Sequence, residues 1–197
     1  ERVRQAVFLS PTPLSNEPVF ETYARTASPT GWNPVIEPRL LLAEAFVPYG
    51  PRAAQNLASQ EEMRVLLERS FDPRAWVCAA DAGQAPRVDR PGFNAYVELR
   101  AEITERALPD PRPRLAENLT PTLVLAGECD YLPWDVIREY QDALLNETVF
   151  YFEGAGHMIH LTRAELMASV IGAFLLDAPF PVEPYVGPEN PRPSLGP

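Results

Sequence analysis

Apolar residues in this chain of 197 residues follow two different rhythms. Near the start, Ala6 to Leu9 is a short apolar run. It ends at Ser10-Pro11-Thr12-Pro13, where two prolines forbid further ladder bonding. Thr122-Leu123-Val124-Leu125-Ala126 is wholly apolar, as expected of a parallel strand covered on both faces. Thr148 to Phe152 is a second β-rich run. Between these two, Trp134 to Leu145 places Val136, Ile137, Tyr140 and Leu144 on one helical face, with Asn146 as a left-handed stop. Thr162-Arg163-Ala164-Glu165 reads as a capping box. It opens a helix whose buried face is Leu166, Met167, Val170, Ile171, Phe174 and Leu175. The order strand, loop, helix, strand, loop, helix predicts an α/β fold with parallel strands.

From about Asn16 to Ala116 the rhythm changes to helices broken by prolines. Val19 to Ala27 and Val35 to Val47 are predicted helices, the second interrupted at Pro38. Arg52 to Phe71 is the longest, with Leu57, Met63, Leu66, Leu67 and Phe71 on its apolar side. Phe93 to Leu108 follows, with Glu98, Glu102 and Glu105 facing water. A helical block between two sheet strands fits a lid inserted into an α/β fold. The expected organisation is a strand segment at 1–15, a helical cap at 16–116, a strand–helix core at 117–177 and a Pro-rich tail at 178–197. Asp110-Pro111-Arg112-Pro113-Arg114 is a stiff linker back to the sheet, and the tail is expected to lie extended on the surface or to be partly disordered.

The chemistry gathers after the last two strands. Gly127-Glu128-Cys129-Asp130 follows one and Gly154-Ala155-Gly156-His157 the next. Ligands of open parallel sheets collect at the carboxyl ends of strands, and neighbouring strands lie about 4.8 Å apart, so side chains from adjacent loops can meet. An Asp that accepts from a His ring N–H fixes the tautomer and steadies the imidazolium, which is the back half of a nucleophile–His–acid triad. Glu128 is the rival acid, and a helix-capping role is the alternative for Asp130. His160, the other histidine, reads as supporting or structural. Ser10 and Ser15 lie in no strand–turn–helix context and read as loop serines. No His-Glu-x-x-His and no cysteine pair at zinc spacing occurs, so neither metal nor cofactor is expected.

These motifs resemble the closing strands of the α/β-hydrolase fold: Gly127-x-x-Asp130 with Pro133 shortly after, then Gly154-Ala155-Gly156-His157 before a final helix. Arg2 to Pro11 looks like the sixth strand of that fold. Gly50-Pro51-Arg52-Ala53-Ala54, Glu61-Glu62-Met63 and Cys129-Asp130-Tyr131-Leu132-x-Trp134 look like actinobacterial proline-iminopeptidase-like hydrolases. The resemblance implies the last three parallel strands of the fold with an inserted helical cap. It also implies Asp130 and His157 as acid and base of a Ser-His-Asp triad, acting on an amide or ester bond of a small molecule or peptide. Tyr131, Trp134 and Met158 are candidates for the substrate wall, although core packing suits an aromatic at either position equally well. No Gly-x-Ser-x-Gly occurs in the chain. In the family that turn precedes the sixth strand, which implies a nucleophile on an upstream segment or a separate chain. The Trp-x-x-Trp-Glu box of prolyl aminopeptidases is absent. An esterase, lactonase or acyl-transfer cyclase on the same scaffold, and a non-catalytic binding remnant, are the other readings.

Composition narrows this further. The net charge of −10 argues against nucleic acid as a partner, because phosphate binding needs clustered cations. All 17 basic residues are Arg. No apolar run approaches the ~20 residues of a membrane span. Cys78 and Cys129 are expected to be free thiols in a reduced compartment, Cys129 as a small buried hydrophobe; the expected location is the cytoplasm, with secretion by way of a removed upstream signal as the alternative.

Overall fold

The computed structural model describes residues 3–14, 42–43, 45–62, 77–78, 108–130, 132–187 and 189–192. The chain divides into two compact units. One comprises Glu1–Ala27, Pro73–Ala85 and Asp110–Pro197; the other comprises Ser28–Asp72 and Pro86–Pro109. Val77 and Cys78, inside the stretch assigned to the cap by its sequence, fall in the first unit.

The first unit is built on a three-stranded parallel sheet in the order β1-β2-β3. Its strands are β1 (Ala6–Leu9), β2 (Thr122–Gly127) and β3 (Glu147–Phe152). Every residue of the central strand β2 is buried, as its unbroken apolar run requires. Alternate side chains feed two cores. Val124 and Ala126 join Val136, Ile137, Tyr140 and Leu144 under the helix Trp134–Ala143. Leu123 and Leu125 join Phe150, Phe152, Val170 and Phe174 under the helix Ala164–Leu175. Phe150 and Phe152 are almost wholly enclosed, so truncating either to Ala removes about 3–5 kcal/mol of packing.

The remaining elements can now be labelled in chain order: α1 (Pro51–Gln55), α2 (Arg112–Leu115), α3 (Trp134–Ala143), α4 (Ile159–Thr162) and α5 (Ala164–Leu175). Four local expectations need correction. Asn146 is not left-handed; α3 stops because Leu144 turns extended, and the Asn146 amide donates to the Leu119 carbonyl. Thr162 forms no capping box, because α4 keeps it helical and Arg163 becomes the residue preceding α5. Leu175 is half exposed at the end of α5, and Ala173 is buried in its place. The helix assigned to Arg52–Phe71 breaks after Gln55. Ser59 and Glu62 then make a reciprocal capping pair that starts a new helix, with Glu62 N–H donating to Ser59 Oγ and Ser59 N–H to the Glu62 carboxylate. The stretches Val19–Ala27 and Phe93–Leu108 lie outside the described residues, apart from Leu108 itself.

In the second unit Phe46 and Tyr49 pack ring to ring around a 3-10 turn at Val47–Tyr49, and Ala43, Val47, Ala54 and Ala58 are buried. In the first unit Asp110 clasps Arg112 through both carboxylate oxygens at the start of α2. The tail folds back on the sheet: Tyr185 forms an antiparallel bridge to Val149, and Phe180 packs on Phe150 with centroids 4.8 Å apart.

Candidate active site

Two loops at the carboxyl ends of β2 and β3 are stitched together by their backbones. Glu128 N–H donates to the Phe152 carbonyl (3.1 Å) and Cys129 N–H to the Ala155 carbonyl (2.9 Å). In return, Gly154 N–H donates to the Glu128 carboxylate at 2.7 Å. Glu128, the rival acid, thus braces the histidine loop. The contact is closest at Gly127, where a Cβ would stand 2.3 Å from the Gly156 carbonyl oxygen and 2.6 Å from that of Ala155. Only glycine lets the loops approach this far. Gly154 has a left-handed φ of +68°, and a Cβ there would strike the Arg163 guanidinium.

This stitching brings Asp130 and His157 together. His157 Nδ1 lies 3.0 Å from Asp130 Oδ1. The same oxygen accepts the Leu132 N–H at 2.9 Å. A carboxylate only accepts, so Nδ1 carries the proton and Nε2 is left as the basic nitrogen. The Asp130 side chain is 2% exposed and that of His157 19%, so the acid is sealed while the imidazole is partly accessible.

Two holders of this pair escaped the sequence reading. Ser10, at the end of β1, is buried and left-handed (φ 43°), and its hydroxyl donates to the His157 backbone carbonyl at 2.6 Å. It is no ordinary loop serine; it ties β1 to the histidine loop. The other is a disulfide between Cys78 and Cys129, next to the acid. The expected free thiols are therefore corrected, and with them the premise for a reduced, cytoplasmic setting. The two cysteines are 51 residues apart, and local pattern carries no sign of such a contact. In the chain-entropy account, closing a loop of that size stabilises the fold by about 4 kcal/mol. Glu128 lies against these sulfurs, within 4.8 Å, but sulfurs bonded to each other offer no thiolate to a metal ion.

The candidate substrate residues separate. Trp134 is 2% exposed, inside the α3 core and edge-on to Tyr151 and Tyr185, which is the core reading and not a substrate wall. Met158 is half-buried directly after His157. Tyr131 lies outside the described residues. His160 is exposed on α4. Burial pushes the phenols of Tyr140 and Tyr151 up to about 12, helped by Glu139 and Glu128 respectively, so both are neutral at physiological pH. Tyr140 gives its proton to the Thr12 carbonyl at 2.9 Å, fixing the loop after β1.

A parallel sheet with an acid and a histidine on successive strand-end loops defines a class. The chain belongs to the alpha/beta hydrolase family, whose model matches residues 2–170. Its fold is similar to those of three solved structures. MenH from S. aureus has a TM-score of 0.48 and 19% identity, over 89% of this chain and 59% of that one. Proline iminopeptidase from Mycobacterium smegmatis has a TM-score of 0.46 and 17% identity, over 88% and 56%. VinJ has a TM-score of 0.47 and 17% identity, over 88% and 57%. The chain thus spans less than three fifths of the length of each of these proteins. No curated protein sequence matches it. Among the described residues no helix is long and apolar enough to cross a membrane.

Proposed function

We propose that the protein is a serine hydrolase of the proline-iminopeptidase-like type, cleaving an amide or ester bond. Asp130 and His157 are the acid and base of a triad whose serine is brought by a segment carrying Gly-x-Ser-x-Gly. The observation that carries the reading is the 3.0 Å contact from His157 Nδ1 to a buried Asp130. In this reading Nε2 takes the serine proton as Oγ attacks the carbonyl carbon, and the imidazolium so formed faces the Asp130 carboxylate. His157 then returns the proton to the leaving amine or alcohol, and the acyl-serine is released by water activated in the same way.

The open side of β1 supports a missing segment. Val7 and Leu9 are 36% and 40% exposed, although their register partners Leu123 and Leu125 are fully buried. An apolar strand exposed at a sheet edge is a template for pairing. The nucleophile segment would pair there and cover the face on which Val7 and Leu9 stand.

The test is labelling with a fluorophosphonate probe. Residues 1–197 alone should be insoluble or molten and unlabelled; with the nucleophile segment present the label should fall on that segment. A folded, monomeric and probe-reactive preparation of these 197 residues would overturn the proposal. A panel of an aminoacyl arylamide, an aryl ester and a carboxylate-bearing ester then separates peptidase from esterase. The acidic chain should disfavour the anionic ester.

A further inference from the structure

Arg192 stands on the Pro-rich tail, 62 residues beyond the acid, yet its guanidinium reaches the acid loop. Nη1 donates to the Asp130 carbonyl at 3.4 Å and also to the Leu132 carbonyl. These are the two residues already joined on their other side, where the Leu132 N–H meets the Asp130 carboxylate. The turn that aims Asp130 is therefore held twice, once by its own side chain and once by a distant cation.

The guanidinium is itself held in place. Its carbon lies 5.6 Å from the centre of the Trp134 ring, a cation–π distance. Trp134 in turn meets Tyr185 edge-on at 5.2 Å, and Tyr185 bridges to Val149. Packing chains run from β3 through the tail to the acid loop. Burial draws the Arg192 pKa below its ordinary value, while the Asp130 carboxylate acts the other way. Its Nε is buried and meets no hydrogen-bond partner among the described residues. A tail that needed only an anchor would be served by an apolar side chain at less desolvation cost.

We infer that Arg192 is a positioning residue for the Asp130–His157 pair, setting the acid turn through the carbonyls of Asp130 and Leu132. The inference rests on the hydrolase reading given above. Arg192 acts through Asp130, not on the reacting atoms.

Arg192→Met keeps the apolar stem over Trp134 and removes the donors and the charge. In the complete protein it should lower kcat by roughly ten- to hundredfold, the scale of a small misplacement of catalytic groups, with KM unchanged within about twofold. Arg192→Lys should recover part of kcat. Unchanged kcat in Arg192→Met, or a loss of kcat with no rescue by Lys, overturns the inference. A second readout is independent of turnover: the low-field proton resonance of His157 Nδ1–H should shift or broaden in Arg192→Met. An unaltered resonance also overturns it. If the parent protein hydrolyses nothing and takes no probe, the hydrolase reading fails, and the resonance still decides the role of Arg192.

Discussion

The two edges of the sheet are treated differently. At the β3 edge the tail closes over the strand, with Tyr185 bridging to Val149 and Phe180 seated on Phe150. At the β1 edge Val7 and Leu9 stand half exposed, and among the described residues no strand pairs with the outer side of β1. In the proposed reading the closed side carries the finished half of a catalytic apparatus, an acid and a histidine locked by backbone contacts between their loops. The open side faces the direction from which a nucleophile would have to come. A sheet edge left apolar is a hazard unless something covers it, so in the proposed reading one edge is sealed for stability and the other kept for assembly.

The largest effect should come from breaking the finished half. In the complete protein His157→Ala should cost about 10⁴-fold or more in kcat, and Asp130→Asn a similar or smaller amount. His160→Ala should keep most activity, since that residue is exposed. An essential His160 beside a dispensable His157 in the same assay would reverse the assignment. Next comes the stitch between the loops. Gly127→Ala puts a methyl group against two carbonyl oxygens of the histidine loop, so it should destabilise by about 1–3 kcal/mol or more in chemical denaturation. It should also lower kcat more than it raises KM.

A smaller effect tests the open edge. Leu9→Asp at a solvent-facing site should change stability by less than about 0.5 kcal/mol. If an upstream segment covers it, the cost in the complete protein should rise to roughly 1–3 kcal/mol, as for an unpaired buried polar group. Denaturation of the complete protein distinguishes the two values.

The smallest effect is a pH signature on the closed side. The Tyr140 phenol titrates near 12 in the fold, above the ordinary tyrosine value near 10. A raised acid favours the folded state while it is neutral. Its contribution is complete below about pH 10 and disappears as the pH rises through 12. Tyr140→Phe should cost about 1 kcal/mol at neutral pH, from its bond to Thr12, and should fall less steeply between pH 10 and 12. Parallel slopes for the two proteins would remove the phenol from the account.

What the sequence made legible was local. Strands β2 and β3 were visible because their apolar runs are short and bounded by turn residues. The pairing of Asp130 with His157 could be anticipated because consecutive strand-end loops must be neighbours. The break after Gln55 was readable in principle, since Ser59-Gln60-Glu61-Glu62 is a capping sequence, but the apolar spacing of Leu57, Met63 and Leu66 masked it. Trp134 is adjacent in sequence to the acid loop, yet α3 turns its ring into the core. The bonds of Ser10 to His157, Arg192 to Leu132 and Cys78 to Cys129 join residues tens of positions apart. Nothing in the spacing of single side chains announces a partner that only the folded sheet brings near.

The bond between Cys78 and Cys129 also makes the chain a closed circle with two free arms. A single proteolytic cut anywhere between these residues opens the circle without releasing a fragment. The acid would stay attached to both pieces, and the nicked molecule would run as one species on a denaturing gel until a thiol was added. Such a molecule can lose peptide bonds in the intervening stretch and keep Asp130 tethered where His157 needs it. Survival in a protease-rich setting would then be decided by the redox state of one bond and not by the integrity of the backbone.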